Sequence, residues 1–531
     1  MDQAFEDGED QFFFEDDDDA DRFFNIVNDE DRFFDDSNGD DRPFKKLETE
    51  ANHHGGSCGG TVIPPPEPSP TDGRSQQEDN EKTDSADEFL AHRFAALTME
   101  ERQQAMNDIH CVSEPFSETP EFVDEKISEL SALLNGCSSI EGDKKNLRQA
   151  YDMVLEQNPE YVKDRNFLLQ FLRAGSFDPQ NAAQRILSHF DQKLTLFGQE
   201  KLTKTITLED MGEEDNILLR VGWCGKLPLR DMSSRSVIYM NPIALATIQH
   251  EISSISRMRV LLYTILSLAE NGEDQRRGFV LISINMGENM SVYDQIESAK
   301  NNVAVIAMPP VKIVAAHFFD ASGTFGRSLR FAFNANHIDQ KAQVRIRSHS
   351  LGQYEFKQLH FLLNTHGIPA SVIPLLEDGE YDLMYHNEYL RARKALETER
   401  QQQSDGKSSG ERNAPTLSPG PCDVIHGKDN FARSHIGNVK FLSLVEEMFP
   451  DYDVIDDRLQ RPIIYQRALD KIHDSGGLFL YKDDDGIWRE ASHKMAMDKI
   501  GNAFRSRRKI IAREEAKLKR TAPSSTTDES F

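Results

Sequence analysis

The sequence has little of what marks membrane and secreted proteins. It contains no run of about eighteen apolar residues, and its most apolar stretch, 303–319, is interrupted by Pro309, Pro310, Lys312 and His317. These interruptions argue against a membrane span. The first ten residues are acidic and lead into no apolar core, so no secretory signal is predicted.

Cysteine is scarce as well. The chain has five cysteines, an odd number without any CxxC pair, so neither a disulfide framework nor a cysteine zinc site is predicted. This usage is typical of a reducing, cytoplasmic setting. The cysteines are widely scattered: Cys58, Cys111, Cys137, Cys224 and Cys422.

Common catalytic motifs are also missing, since the chain has no Walker loop and no HExxH pair. Residues 55–59 spell GxSxG, but they lie in a Gly-rich linker with no preceding strand, which argues against a nucleophile elbow. His189, His250 and His317 lie within apolar periodic stretches and are interpreted as core or surface histidines. We therefore predict no enzyme activity, no catalytic residue and no metal site.

Acidic residues dominate the beginning of the chain. The formal net charge is -29, and residues 1–44 hold 18 Asp/Glu against three Arg, together with nine Phe. Such a composition cannot offset its ordering entropy, so residues 1–88 are predicted to be a disordered tail and a Pro/Gly linker. The Asp-Arg-Phe-Phe repeats at 21–24 and 31–34 favour a protein partner, and a purely solubilising tail is the alternative.

Helical patterns follow. Thr98 and Glu101 form a predicted capping box, and a second helix is predicted over 121–134. Asp178-Pro179 is typical of a helix start, with Asp as the cap and Pro as the first helical residue. We assign 89–158 to a helical extension and 159–205 to a helical lobe.

The pattern changes after residue 205. Short apolar runs at 217–221, 236–240, 279–285 and 312–319 predict strands, and helix-like stretches at 257–271 and 291–305 separate them. This alternation predicts an α/β fold with a mixed, largely parallel sheet over 206–378. Next come a helix end and linker at 379–421, a small and mostly α C-terminal module at 422–520, and a tail at 521–531.

Residues 164–179, DRNFLLQFLRAGSFDP, resemble the N-terminal helical signature of the CRAL-TRIO (Sec14-like) lipid-binding family. The resemblance continues at 227–242, where Asp231, a turn and Arg235 precede an apolar strand and Ser234 stands where Gly is usual. At the end of the strand 279–286, Asn285 stands where Asp is frequent. Residues 308–319 are similar to the core strand of the tocopherol-transfer and retinaldehyde-binding branch.

The resemblance implies a helical lobe and a sheet that, with a mobile gate helix, encloses a hydrophobic lipid. Phe325, Leu329 and Phe333 are spaced by four and would form the apolar face of the gate helix. Plain core is the alternative role for the candidate pocket residues, which come from alternate strand positions and a nearby helix: Ile238, Leu262, Ile265, Ile282, Ile284, Val314, Ala316 and Phe318.

Bases that hold phosphoinositide headgroups in the tocopherol-transfer branch are matched by Lys312, Lys341 and Arg345, and Arg347 lies beside them. The resemblance therefore implies docking on an anionic membrane, to which each base contributes ~1 kcal/mol. A solvated charged face is the alternative.

Residues 423–427, 435–441 and 475–480 resemble an uncharacterised module that is common in diatom and other stramenopile proteins. The module implies no established activity. Its basic end, with Arg505, Arg507, Arg508 and Lys509, fits an anion such as nucleic acid, a phosphoinositide or the acidic tail of the same chain. A solvated helix end is the alternative.

These expectations combine into a non-enzymatic protein that binds and transfers or senses a lipid at a membrane surface. The alternative is a regulatory adaptor or transcription-associated protein, nuclear in location, that uses the acidic-aromatic tail and the basic module. A bound lipid is the one ligand expected, and nucleic acid is a less favoured partner.

Overall fold

A computed structural model of the chain describes residues 93–112, 116–136, 144–248, 252–285, 308–320, 343–351, 355–376, 381–404, 415–416, 418–427, 429–455 and 460–521. His92–Arg505 form one compact unit, and the described residues after Arg505 belong to a second. Among these residues no helix is both long and apolar enough to cross a bilayer. The predicted disordered tail at 1–88 lies outside the described residues.

The first part of the unit is helical, as the sequence predicts. Its helices are α1 (Met99–Ile109), α2 (Pro120–Gly136), α3 (Lys144–Gln157), α4 (Pro159–Lys163), α5 (Arg165–Ala174) and α6 (Pro179–Phe197). The helices α2 to α6 share a core in which Leu130, Phe171 and Phe190 are fully buried, whereas Ala105 on α1 packs with Leu97 and Val344.

Two predicted helix starts are confirmed. Thr98 accepts a hydrogen bond from the backbone of Glu101, and the Glu101 side chain accepts one from the backbone of Thr98. Asp178 accepts hydrogen bonds from the backbones of Gln180 and Asn181, and Pro179 is the first helical residue. Each cap satisfies backbone donors that the helix itself leaves without partners.

The middle of the unit is α/β, with a five-stranded sheet in the order β1-β2-β3-β4-β5. β1 pairs antiparallel with β2, and the other neighbours are parallel, which confirms a mixed, largely parallel sheet. The strands are β1 (Cys224–Lys226), β2 (Ser236–Met240), β3 (Phe279–Asn285), β4 (Ile313–Asp320) and β5 (Ile346–Ser350). The helix α7 (Glu213–Arg220) precedes the first strand, α8 (Ser254–Ala269) and α9 (Gly272–Arg277) lie between β2 and β3, and α10 (Glu355–Thr365) follows β5.

The strand predicted at 217–221 is wrong, because this run belongs to α7 and the first strand begins at Cys224. The acidic residues Glu213, Glu214 and Asp215 fill the first turn of α7, where the helix dipole favours negative charge. Asp215 also accepts a hydrogen bond from the backbone of Gly212. The acidic helix start at residues 213–215 therefore outweighs the strand preference of the short apolar run at 217–221.

Apolar side chains cover both faces of the sheet, and alternation along the strands separates them. One face, called the α8 face, carries Ile238, Leu281, Ala316 and Phe318, which share a core with α8. The opposite face, called the α10 face, packs against α10 through Leu359 and Leu363. It carries Val237, Tyr239, Val280, Ile282, Ile284, Ala315 and Phe319.

A long helix, α11 (Met384–Ser404), lies in the stretch expected to be a helix end and linker. It is bound to the α/β layer: His386 contacts the Tyr239 hydroxyl at 2.8 Å, Tyr389 contacts the Ser267 hydroxyl at 3.0 Å, and Arg393 donates to the Tyr263 hydroxyl at 3.2 Å. On its other side, Ala392 and Leu396 pack against Ile487 of the C-terminal module. α11 therefore joins the two regions.

The C-terminal region combines helices with a sheet of short strands in the order β6-β9-β8-β7. The strands are β6 (Pro415–Thr416), β7 (Val424–Ile425), β8 (Phe479–Lys482) and β9 (Trp488–Glu490). The helices are α12 (Asn430–Ser434), α13 (Ile436–Asp453), α14 (Arg461–Asp474) and α15 (His493–Thr521). The region is mostly helical, as predicted, but the sheet provides its centre.

Candidate functional site

The α8 face of the sheet brings together most of the residues predicted to line a lipid pocket. Ile238 on β2 and Ala316 and Phe318 on β4 share one buried cluster with Leu262 and Ile265 on α8. Val314 lies on the same face by strand alternation and is 6% exposed.

Ile282 and Ile284 lie on the α10 face instead, among the residues that pack against α10. A single cavity on one side of the sheet cannot be lined from both faces. The predicted set therefore divides into six residues on the α8 face and two in the opposite core. The reason is the two-residue period of the strand, which places Leu281 and Ser283 of β3, and not their neighbours, on the α8 face.

The described helix on this face covers one part of the sheet. α8 packs against β1 and β2, whereas Ala316 and Phe318 belong to β4, two strands further along the sheet. Ala316 is the smallest side chain of this face and sits between Val314 and Phe318 on the same strand. Along β4, the α8 face is therefore apolar with a small residue at its middle.

Ser283 adds a polar group to this apolar surface. It pairs with Met240 on β2 and with Phe318 on β4, and it is 1% exposed. Its hydroxyl has no hydrogen-bond partner among the described residues. The amide nitrogen of Asn241, just after the end of β2, is also buried without a described partner. Buried polar groups are normally hydrogen-bonded, so the Ser283 hydroxyl could donate to or accept from a bound molecule, and the Asn241 amide nitrogen could donate to one.

The predicted headgroup bases lie at the amino ends of β4 and β5. Lys312 donates to the Ser176 hydroxyl at 3.0 Å. Arg345 donates to the buried carboxylate of Asp108 at 2.6 Å. Arg347 donates to the backbone carbonyls of Val344 and Ile346, and burial lowers its pKa. Lys341 and the gate residues Phe325, Leu329 and Phe333 lie outside the described residues.

Asp231 and Arg235 close a buried turn before β2. Arg235 donates from Nε to Asp231 at 2.6 Å, and the Asp231 carboxylate also accepts the backbone N–H of Arg235. Ser234 adopts φ 60°, a left-handed conformation that favours Gly. Ser234 is therefore strained there.

Arg235 also reaches α1 and the residues after it. It donates to the backbone carbonyl of Asp108 at 2.7 Å and to the sulfur of Cys111 at 2.7 Å. Burial, and then the charge of Asp231, raises the pKa of the Cys111 thiol. Cys111 is therefore a neutral structural thiol that links α1 to the sheet.

Three histidines meet on the α10 face, although their spacing in the sequence gives no motif. His317 lies on β4, His349 on β5 and His366 after α10, and one ring nitrogen from each lies within 4.8 Å of the other two. His317 is 1% exposed, so of the two positions predicted for it, core or surface, it occupies the core. The grouping was missed because the residues come from three separate elements.

Burial lowers the pKa of all three histidines. The pKa of His317 lies well below its usual range, with the charges of its histidine and arginine neighbours adding to the effect of burial. Burial and the charge of His366 lower the pKa of His349 to about 4, and burial and the charge of His110 lower that of His366. The three imidazoles are therefore neutral near pH 7, the form that can bind a metal ion.

In the C-terminal region, the signature residues have structural roles. The Asn438 amide donates to the carbonyls of Ile425 and Ala432 and accepts from the backbone N–H of Ile425. A Cβ on Gly437 would lie 1.9 Å from the Asp423 carbonyl oxygen, and one on Gly477 would lie 2.1 Å from that of Cys422. These residues hold the 422–425 segment against the start of α13 and the turn before β8.

The predicted basic patch lies on the last helix, α15. Arg505 hydrogen-bonds the side chain of Asn502 one turn earlier. Arg507, Arg508 and Lys509 follow on the same helix, beyond the end of the main unit. The helical conformation of this segment is as predicted, and the binding of an anion by these bases stays a prediction.

Comparison with known proteins identifies one region. Residues 423–506 match the model of a family described as a domain of unknown function, DUF6824. This match falls within the predicted C-terminal module. No curated protein matches the chain.

Proposed function

We propose that residues 159–378 form a CRAL-TRIO (Sec14-like) domain that binds one hydrophobic lipid on the α8 face of its sheet. The order and direction of β1–β5 support this proposal, together with the signature residues around Asp164–Pro179 and Asp231–Arg235. In open sheets of this kind, ligands bind near the carboxyl ends of parallel strands.

The observation that carries the proposal is the buried Ser283 hydroxyl, which has no described partner and lies beside the apolar side chain of Phe318. Leaving such a group unpaired costs about 1–3 kcal/mol. A lipid with one polar group would relieve this cost while its hydrocarbon chain lies along Val314, Ala316 and Phe318. Sites for such ligands combine apolar walls with a small number of polar groups.

Apolar burial provides the driving force for capture. Each methylene removed from water contributes ~0.8 kcal/mol, so a chain of about fifteen methylenes is strongly retained against release into water. Release into a bilayer costs far less, because the bilayer offers similar apolar surroundings. The protein therefore transfers or senses its lipid by exchange at a membrane and needs no chemical reaction.

Lys312 and Arg347 are the described bases that we assign to anionic membrane docking. Arg345 already pairs with Asp108, so a headgroup must compete with a buried carboxylate for this guanidinium. Lys341 and a gate helix at Phe325, Leu329 and Phe333 remain predictions from the sequence. The adaptor or transcription-associated function also remains a prediction, and no described contact favours it.

Two neighbouring alanines provide the test of the site. Ala316 lies on the α8 face and Ala315 lies in the α10 face core. In the full-length protein, Ala316→Phe would occupy the ligand volume, so we expect lost uptake of fluorescent lipid from vesicles and unchanged stability of the lipid-free protein.

The control, Ala315→Phe, would overpack a filled core and cost about 1–3 kcal/mol of stability. Retained uptake by Ala316→Phe, with a loss of stability equal to that of Ala315→Phe, would show that side chains fill the α8 face.

A further inference from the structure

The cluster of His317, His349 and His366 lies on the α10 face, away from the proposed lipid site. Phe319 on β4 pairs with His349 on β5, and the ring centroids of these two residues are 4.7 Å apart. The His366 ring contacts both of the other histidines: its centroid lies 4.4 Å from that of His317 and 5.1 Å from that of His349. Two strands and the end of a helix thus hold the rings in place.

The spacing of the ring nitrogens fits a metal ion. His317 Nδ1 lies 3.2 Å from His349 Nε2. Two nitrogens that each bind zinc at about 2.0–2.1 Å in tetrahedral geometry lie about 3.3 Å apart. The ligand nitrogens of the whole group lie within 4.8 Å of one another, so a shift of at most about 1.5 Å brings the third ring to the ligand spacing.

The His366 ring is oriented as a ligand. It hydrogen-bonds the backbone of Ile109, and its Nδ1 is buried with no partner among the described residues. A ring that donates one N–H to a backbone carbonyl presents the lone pair of its other nitrogen, which is the usual arrangement of metal-binding histidines.

An ordinary hydrogen bond between His317 and His349 is the competing explanation of the 3.2 Å contact. Such a bond uses one nitrogen of each ring, but it leaves the buried Nδ1 of His366 unpaired, at a cost of about 1–3 kcal/mol. A metal ion uses one lone pair from each of the three rings, and the Nε2 atom of His317 is buried without a described partner in either arrangement, so the two differ at His366. The geometry therefore favours the metal.

We propose that His317, His349 and His366 bind a divalent transition-metal ion, with Zn²⁺ as the first candidate, through their three imidazoles. Imidazole is a good ligand for zinc. No fourth histidine, cysteine or carboxylate among the described residues joins the group, so the set leaves the fourth position to water or another small ligand. This composition is typical of an open zinc site, whereas closed structural sites have four protein ligands.

The charge of Arg347 opposes metal binding. Its positive charge is close enough to act on all three histidines, adding to the effect of burial on their pKa values. Removing this charge would therefore strengthen the binding of a cation. The histidine cluster is also separate from the α8 face. Loss of zinc binding and loss of lipid binding can therefore be measured independently.

The test is zinc titration of the full-length, untagged and metal-stripped protein against a chromophoric chelator. We expect one tight Zn²⁺ per chain and visible absorption typical of tetrahedral coordination with Co²⁺. His349→Gln and His366→Gln should each weaken zinc binding by more than about tenfold. His110→Gln is the matched control, because its ring lies 5.1 Å from that of His366 yet is not in the group, and it should bind as wild type.

Two further measurements guard against variants that fold poorly. Zinc should raise the Tm of the wild type and of His110→Gln but not that of the two ligand variants, because only preferential binding to the folded state raises Tm. Arg347→Gln should bind zinc more tightly than wild type, which misfolding cannot cause. The proposal would be overturned if the wild type bound no stoichiometric zinc, or if the wild type and the ligand variants bound zinc with equal affinity. The 3.2 Å contact would then be a hydrogen bond.

Discussion

Arg345, just before β5, donates from Nε to the Oδ2 atom of Asp108 on α1 at 2.6 Å. Asp108 is almost completely buried and Arg345 nearly so, so the pair is held in a surrounding of low polarity, where charges interact strongly. The pair fastens α1 to the sheet. It also restrains one of the bases expected to contact an anionic membrane.

Asp108→Asn should strengthen binding to vesicles that contain anionic lipid, because the Arg345 charge becomes available to headgroups. An available base near a membrane contributes ~1 kcal/mol, or about fivefold in affinity. Vesicle flotation at low and high salt measures the effect, which should disappear at high salt. Asp152→Asn, which removes an exposed carboxylate paired with Arg148, controls for net charge; equal binding by the two variants would refute a specific role for Arg345.

Ser283→Ala should weaken lipid binding without loss of stability. The hydroxyl has no described partner in the protein, so its removal costs the lipid-free fold little, whereas a ligand hydrogen bond is worth about 0.5–1.5 kcal/mol, or roughly threefold to tenfold in affinity. Lipid titration and urea denaturation of the same protein measure both effects. Ser267→Ala is the control, because that buried hydroxyl bonds Thr264 and Tyr389 and its loss should lower stability instead. The reverse pattern in the two variants would contradict the assignment.

Arg393→Met should lower the free energy of unfolding by about 3–5 kcal/mol. The Arg393 guanidinium is fully buried and pairs with Glu270 and Glu397, so the change leaves two carboxylates without their main partner. Arg400→Met removes a half-exposed partner of the same Glu270 and should cost less than about 1 kcal/mol. Urea denaturation compares them, and equal losses would show that burial does not set the strength of this network.

Stability should also fall at acidic pH through Glu270. Burial raises the pKa of this carboxyl, but the hydrogen bonds and charges of Arg393 and Arg400 outweigh burial and hold the pKa below its ordinary value of 4.5. Folding therefore favours the ionised form. Its contribution is present above that value and is lost as the pH falls through the lower, folded-state pKa.

Urea denaturation between pH 7 and pH 3 measures this dependence. The free energy of unfolding of the wild type should decline below about pH 4.5, and that of Arg393→Met should decline less steeply. Parallel declines in the two proteins would mean that other carboxyls account for the acid sensitivity.

Local signals in the sequence predict much of the fold. Asp178-Pro179 predicts the start of α6, and Thr98 with Glu101 predicts the start of α1, because caps act within a few residues. The alternation of strand and helix patterns along the chain predicts the α/β layer, because each pattern depends on residues that are close in the sequence. The run 217–221 misleads, because its apolar residues fit a helix face as well as a strand.

Long-range features of the site could not be predicted in this way. The face on which Ile282 lies depends on the exact register of β3, since a shift of one residue exchanges the two faces. The contact of His317 with His349 joins residues 32 positions apart, and His366 arrives from another element. The one available signal, histidines within buried strands, has no fixed spacing. The helix α11 likewise carries charges such as Arg393 that give it the appearance of an exposed linker.

The central claim is that the α8 face holds one lipid. The most direct test is gentle native mass spectrometry of the purified full-length protein, followed by organic extraction of whatever is bound. We predict a mass shift equal to one lipid per chain, and a lipid in the extract. A chain that carries no lipid, and takes none up from vesicles, would contradict the account.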